Sequence, residues 1–470
     1  MNNYFRNNWN TPGGYREVLR VGLPLTAGMI SSMVMQFTDR LFLSRYSMEA
    51  IAASMPASIA SMTLHMTMLG ICGYSGVLAA QYIGARAPHR VGPAIWQGIW
   101  CAVLCTVILV AACFMAPLLF SIVGHEPEIQ TLEVQYFITI TAGASFALIG
   151  AAISGYFFGR GLTKPVMVAN MIAAVINVPL DYALIFGAWG FPELGIIGAG
   201  IATTIGWIFT ALVLALLVFT RKIDAQYHVR RGWRFEKDMF KRLIRYGLPS
   251  GANMLVEFAA MSWFIFQIGS LGKIPLAASN IAFSVNSLTF MPMIGLNMAT
   301  ATLVGQAMGK KAPFMAEKIT WHALHLAFLY MIAVAALIVI FAGPLMEIFR
   351  TGSENGQSFE PVKSTGIILF YYVALYSVVD AANLIFIGAL KGAGDTVAMM
   401  KIIISCVACF LFVPMIALIM TDNVSLHPLW IIFSSYIFIL ALVMYWRFRG
   451  RKWHKINMVD DVQTGAEETP

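Results

Sequence analysis

The chain has 470 residues, of which 59% are apolar and 11% are charged. Soluble domains carry about 25% charged residues, so this composition, with a mean hydropathy of +0.74, excludes a water-soluble protein and predicts an all-α integral membrane protein. The formal net charge of +8 does not require a nucleic-acid partner, and we expect none, because Lys and Arg also mark the cytoplasmic loops of membrane proteins.

Apolar stretches of about 20 residues or more predict twelve transmembrane helices. The polar N-terminal residues lack the apolar segment of a signal peptide, so we expect no cleaved leader. In chain order, the predicted spans are 18–44, 51–80, 94–122, 131–158, 166–188, 195–220, 246–271, 276–306, 319–348, 364–388, 397–420 and 428–446.

The positions of the basic residues predict the orientation of these spans. Of the 31 Lys and Arg, 26 lie on the side of the N-terminus. The four on the opposite side are Arg45, Lys273, Arg350 and Lys363, and Arg40 lies within the first span. This bias alternates correctly through twelve spans and predicts that both termini are cytoplasmic. Residues 1–17 then form a cytoplasmic N-terminal segment and 447–470 a cytoplasmic tail.

An internal repeat appears when the chain is compared with itself at an offset of 225 residues. "RVGLPLTAGM" at 20–29 aligns with "RYGLPSGANM" at 245–254, and "QYIGARAP" at 81–88 aligns with "QAMGKKAP" at 306–313. Each repeat holds an even number of spans, so the halves share one orientation, as in transporters built from parallel repeats. We predict two pseudo-symmetric six-helix bundles: an N-lobe at 18–220, a linker at 221–245 and a C-lobe at 246–446.

Polar residues deep in the first half predict a cation site. At about 1.5 Å per residue, Asp39, Asp181 and Thr203 lie roughly 24–28 Å from the cytoplasmic ends of their spans. Asn177 precedes Asp181 by one helical turn and shares its face. A charge at bilayer depth is costly without a partner. We therefore expect Asp39 to face the bundle interior, and Arg40, pointing about 100° away, to extend towards the outer interface.

The second half contains a comparable pair. Glu257 and Asp380 lie roughly 16–18 Å from the cytoplasmic ends of their spans. Two ionised carboxylates at the same depth of one bundle repel each other, so a proton or a cation is expected between them.

The cysteines are interpreted as structural, and the histidines within the spans are interpreted in the same way. Cys101 and Cys105 have the spacing of one helix face, as do Cys406 and Cys409, but no histidine or acidic residue accompanies them. Buried cysteines are most often packing residues, so we expect no metal site apart from Na⁺ at the carboxylates.

With these residues identified, the chain resembles the multidrug and toxic compound extrusion (MATE) family of transporters, in its NorM-like branch, over roughly residues 15–446. The resemblance is carried by "GLPLTAGMISSMVMQFTDRLFLSRYSMEAIAAS", "QYIGARA", "GRGLTKPVMVANMIAAVINVPLDYALIFG", "YGLPSGANMLVEFAAMSWF", "VGQAMGKKAP" and "VVDAANLIFIGALKGAGDT".

The resemblance implies an antiporter that exports organic, often cationic, compounds in exchange for Na⁺ or H⁺, by alternating access between two lobes arranged as a V. It implies a monomer without cofactors in the bacterial inner membrane, in contact with membrane lipids and small organic substrates. The residues that match the family's N-lobe cation site are Asp39, Asn177, Asp181 and Thr203, and those that match its C-lobe site are Glu257 and Asp380.

Two other classes of function fit the sequence less well. A flippase of lipid-linked metabolites belongs to the same superfamily, but we would expect extra spans or a strongly basic cavity, whereas the intramembrane charges here are mostly acidic. A membrane-embedded enzyme would need clustered carboxylates for Mg²⁺ and ATP coupling would need a phosphate-binding loop; the sequence contains neither. We therefore expect no enzymatic activity.

Overall fold

The computed structural model describes residues 6–350, 359–421 and 424–459. Among these residues the regular structure is helical, without strands, and twelve helical segments are long and apolar enough to cross a membrane. The predicted class and number of spans are confirmed. Spans 1 to 12 are Tyr15–Tyr46, Met48–Gly84, Pro88–Ile122, Pro127–Arg160, Lys164–Phe186, Ile196–Val218, Lys237–Gly269, Lys273–Gly309, Pro313–Ile340, Glu360–Ala393, Thr396–Met420 and Leu426–Arg449.

Span 2 consists of two helices, Met48–Cys72 and Ser75–Gly84, separated by Gly73 and Tyr74. The second helix packs closely against span 4, since a Cβ on Gly76 would lie 3.1 Å from the Cα of Gly155. This short helix therefore depends on small residues in both partners.

Prolines explain two departures from the expected spans. The predicted ninth span, 319–348, is wrong at its end, because the structure places a separate helix at Ala342–Ile348. Pro344 has no backbone N–H to continue the preceding helix, which favours a break there. Span 11 contains a π-helix at Val407–Phe412. Pro414 lies two residues after its end, and the wider turn accommodates the hydrogen bond that this proline cannot make.

The segment between the two repeats, 221–245, is largely helical. It contains the helix Arg221–Tyr227 and the beginning of span 7. Met239 and Leu243 are buried, whereas the intervening Lys241 is exposed. This spacing is that of an amphipathic helix, which explains why span 7 begins well before its purely apolar part.

Backbone contacts divide the described residues into two compact units. The first comprises the residues up to Gly22, Val256–Val304 and Pro313–Ile456; the second comprises Leu23–Leu255, Gly305–Ala312 and the residues from Asn457. The sequence-based lobes and linker stay a prediction about topology.

Within the second unit, equivalent residues of the two repeats contact each other reciprocally. A Cβ on Gly84 would lie 2.1 Å from the carbonyl oxygen of Gln306, and a Cβ on Gly309 would lie 2.0 Å from that of Gln81. Both distances are too short for any side chain. Spans 2 and 8 therefore cross in backbone contact, and the crossing has the symmetry that the sequence repeat predicts.

The turn that follows the helix Arg221–Tyr227 is held by Asp224. Its carboxylate accepts hydrogen bonds from the backbone N–H groups of Arg230 (2.7 Å) and Arg231 (3.3 Å). Burial acts to raise the pKa of Asp224, but these two N–H donors and the nearby Arg231 guanidinium outweigh it and hold the pKa below its usual value. The carboxylate therefore stabilises this turn in its ionised form.

We expect Asp224→Ala to lower the free energy of unfolding at neutral pH by about 1–3 kcal/mol, because two backbone donors lose a charged acceptor. A depressed folded-state pKa gives stability that is present above the unfolded pKa and lost as the pH falls through the folded pKa. The difference from the wild type should therefore disappear in acid. Thermal unfolding in detergent measures it, with Asp224→Asn retaining one acceptor oxygen as the control. Equal stability of wild type and Asp224→Ala at neutral pH would contradict this role.

Candidate functional site

Two of the predicted N-lobe residues meet directly. The hydroxyl of Thr203, on span 6, donates to Oδ2 of Asp39, on span 1, at 2.9 Å. Asp39 is 5% exposed, whereas the neighbouring Arg40 is exposed. Adjacent helical positions point in different directions, and this separates the buried acid from the exposed base.

Asp181, on span 5, completes the same group, and Asn177 lies one helical turn before it. Both side chains are fully buried. The carboxyl groups of Asp181 and Asp39 lie close enough for the charge of one to act directly on the other. Two carboxylates in contact repel each other when both are ionised, so the pair requires a bound proton or cation.

Several polar atoms of this group have no hydrogen-bond partner among the described residues. They include Oδ1 of Asp39, both carboxyl oxygens of Asp181, and the amide oxygen and nitrogen of Asn177. Buried polar groups are nearly always satisfied, so each such atom requires an explanation. The set of carboxylate, amide and hydroxyl oxygens is the kind of donor set that hard cations prefer. The donor chemistry of these four residues therefore fits Na⁺, and the carboxyl pair also fits H⁺.

The structure adds a residue that sequence reasoning missed. The ring of Tyr136, on span 4, is 6% exposed, and its hydroxyl lies near Asp39 and Asp181, whose charges act on it. Tyr136 belongs to an apolar core with Leu43 and Ile185. In the sequence, a tyrosine on an otherwise apolar helix face looks the same as a tyrosine that lies at the membrane–water interface.

A further buried carboxyl group also escaped the sequence interpretation. Glu133, near the start of span 4, is fully buried and pairs with Nδ1 of His125 at 2.7 Å. The sequence did not indicate the burial of Glu133, because it lies close to a predicted loop and residues at span edges are expected to reach water.

The second predicted pair also lies within one unit. Asp380, on span 10, is half-buried and Glu257, on span 7, is exposed. Each carboxyl lies within the electrostatic reach of the other. Asn383, one turn after Asp380, donates from Nδ2 to its Oδ1 at 3.2 Å.

Other polar groups surround this pair. The hydroxyls of Tyr376 and Tyr436 lie within reach of the carboxyl charges, and the ammonium of Lys391 acts on Glu257. In the sequence, Lys391 counts only among the basic residues on the side of the N-terminus. Its side chain adds a cation to the surroundings of an acidic pair, and this reduces the repulsion between the two carboxylates.

Comparison with known proteins identifies relatives along most of the chain. A model of the MatE family matches residues 24–183 and 249–418. A probable multidrug resistance protein NorM from Bradyrhizobium diazoefficiens is 27% identical over 434 residues, which cover 92% of each chain. The multidrug resistance protein NorM of Vibrio cholerae is 26% identical over 392 residues, which cover 81% of this chain and 82% of that one.

Solved structures with the same fold include an outward-facing multidrug resistance MATE family transporter of the MOP superfamily. Its TM-score is 0.84 at 20% identity, with 94% of this chain and 97% of that one covered. A MOP superfamily transporter from Pyrococcus furiosus gives a TM-score of 0.83 at 22% identity, with coverage of 93% and 95%. At such identities the likeness shows the fold alone.

A glycine beside the N-lobe group provides a test of its packing. A Cβ on Gly143, in span 4, would lie 1.9 Å from Oγ1 of Thr204, the neighbour of Thr203, whereas one on Gly150 would meet Ala211 at an ordinary 3.5 Å. We expect Gly143→Ala to destabilise the protein by about 1–3 kcal/mol through overpacking. Gly150→Ala is the matched control and should be neutral or slightly stabilising, because alanine favours helices. The measurement is thermal unfolding in detergent; equal melting temperatures of the two variants would contradict this close approach of spans 4 and 6.

Proposed function

Because the chain belongs to the MatE family, a family of transporters and not of enzymes, we propose that it is a secondary active antiporter that exports organic, often cationic, drugs or toxic compounds. The NorM relatives bear the name of multidrug resistance proteins, which supports this class of substrate. The comparisons do not favour the flippase alternative.

The observation that carries the proposal is the contact between Asp39 and Asp181 inside an apolar unit. A buried pair of carboxyl groups holds either a proton or a cation, and it releases one when the other binds. Thr203 and Asn177 supply neutral oxygens next to the pair. We propose that these four residues form the site of the coupling ion, which is Na⁺ or H⁺.

Glu257 and Asp380 form the second part of the proposal. Glu257 is exposed although it lies within an apolar span, so its carboxylate is accessible to a ligand as well as to an ion. We propose that these two residues bind a cationic substrate or a second coupling ion. If substrate and ion compete for the same carboxylate, the binding of one favours the release of the other, and exchange follows.

The free energy of exchange limits the number of ions. Export of a monovalent cation against a hundredfold gradient costs about 2.7 kcal/mol, and each cation that enters along a 100 mV potential supplies about 2.3 kcal/mol. Because the exported cation also moves against the potential, one inward cation is insufficient when only the potential drives it. Two inward cations supply about 4.6 kcal/mol against a total cost of about 5.0 kcal/mol. We therefore propose either more than two coupling ions or an additional ion gradient.

Twelve spans and bacterial relatives support a multi-pass protein of the bacterial cytoplasmic membrane, with both termini inside. We propose that it works as a monomer in contact with lipids, since its carboxylate groups are each complete within one chain.

The first test of this proposal is efflux from cells or everted vesicles. We expect Asp39→Asn, Glu257→Gln and Asp380→Asn each to reduce export of an organic cation by about tenfold or more, because each removes a charged ligand worth about 1.5–3 kcal/mol. Glu128→Gln and Asp238→Asn remove exposed acids and serve as controls for the same chemical change. If all three substitutions left efflux intact, the proposed sites would be wrong.

The second test identifies the ion. In proteoliposomes, a pH gradient alone should drive export if the ion is H⁺, and a Na⁺ gradient alone should drive it if the ion is Na⁺. Asp39→Asn combined with Asp181→Asn removes both charges of the pair and should abolish the response to the effective gradient. Transport that needs neither gradient would contradict antiport.

A further inference from the structure

Three cysteines converge in the second unit. Cys72 ends the first helix of span 2, and Cys101 and Cys105 lie one turn apart on span 3. Their Sγ atoms all lie within 4.8 Å of one another. Their exposed fractions are 0%, 2% and 6%, so the sulfurs are shielded from water. Cys72, Cys101 and Cys105 thus form a thiol cluster.

The close approach of two helices produces this convergence. A Cβ on Gly98, one turn before Cys101, would lie 2.8 Å from the Cβ of Ser75, one turn after Cys72. The glycine thus brings span 3 against the break in span 2. Sequence spacing pairs Cys101 with Cys105 but gives no indication of Cys72, because that contact depends on the packing of two spans.

The geometry of the thiol cluster matches that of a metal site. Three sulfurs around one ion with metal–sulfur distances of about 2.3 Å are separated by about 4 Å. The observed limit of 4.8 Å therefore requires side-chain shifts of less than about 1 Å, which cysteine rotamers provide without movement of the helices.

The donor set selects the ion. Sulfur-only ligands favour soft metals such as Cu(I), zinc or iron–sulfur clusters. Structural zinc and iron–sulfur clusters take four protein ligands, whereas the group of ligating atoms found among the described residues contains three sulfurs and no histidine or carboxylate. A three-coordinate soft ion fits this set. A monovalent ion also adds the least charge to a dry apolar interior.

We propose that the thiol cluster is a binding site for Cu(I). Binding replaces the proton of one thiol, which leaves as H⁺ to water, by a copper–sulfur bond. The lone pairs of the other two sulfurs complete the coordination, and the cluster remains neutral. No electron is transferred, because copper enters and stays as Cu(I).

The test compares two variants of the full chain in detergent, each with three cysteines. In one, Cys113, Cys406 and Cys409 are replaced by serine and the thiol cluster is retained. In the other, the three cysteines of the thiol cluster are replaced by serine, and Cys113, Cys406 and Cys409 are retained. Cu(I) is supplied under reducing, oxygen-free conditions with a chromophoric chelator as competitor. We expect one copper per chain in the first variant and at least a tenfold weaker affinity in the second.

X-ray absorption of the copper-loaded wild type keeps the test independent of how well either variant folds. Three sulfur neighbours at about 2.3 Å, without nitrogen or oxygen, would support the site. Equal copper binding by the two variants, nitrogen or oxygen in the coordination shell, or no binding by folded wild type would each overturn it. A single Cys105→Ser substitution should weaken binding while leaving thermal stability without copper close to that of the wild type.

Discussion

The buried contact between Asp39 and Asp181 is the constraint on which the N-terminal half depends. Carboxyl groups in an apolar interior are tolerated when a proton, a cation or a hydrogen-bond donor compensates them. Thr203 supplies one donor, and Asn177 lies fully buried on the same helix as Asp181. The remaining compensation has to come from an ion, and this links the folding chemistry of the unit to its proposed role in exchange.

Small residues allow the helices to supply these groups at close range. Gly143 brings span 4 against span 6 beside Thr203, and the reciprocal contacts of Gly84 and Gly309 bring equivalent spans of the two repeats into backbone contact. Close approach of this kind is a general means of packing helices in membranes, where apolar side chains gain little from leaving lipid. The same principle places Gly98 against Ser75 and assembles the thiol cluster.

The two carboxylate groups differ in ways that suit different tasks. Asp39 and Asp181 are buried among apolar side chains, a setting suited to a small ion without its water shell. Glu257 is exposed and has Lys391 within electrostatic reach, a setting suited to ligands of variable size. The proposed division between coupling ion and substrate follows from this difference in access, because the acidic chemistry is the same in both groups.

The sequence by itself determined the helical membrane class, the twelve spans and the repeat, because these depend on hydropathy and local order along the chain. It also placed Asp39, Asp181 and Thr203 at a similar depth and Asn177 on the helix face of Asp181, because depth and face follow from residue spacing along a helix; their role as a cation site stays a prediction. The tertiary structure alone decided which atoms meet: Tyr136 beside the carboxyl pair, Lys391 near Glu257, and Cys72 beside Cys101 and Cys105. These contacts depend on helix rotation and crossing, which residue spacing within one helix does not specify.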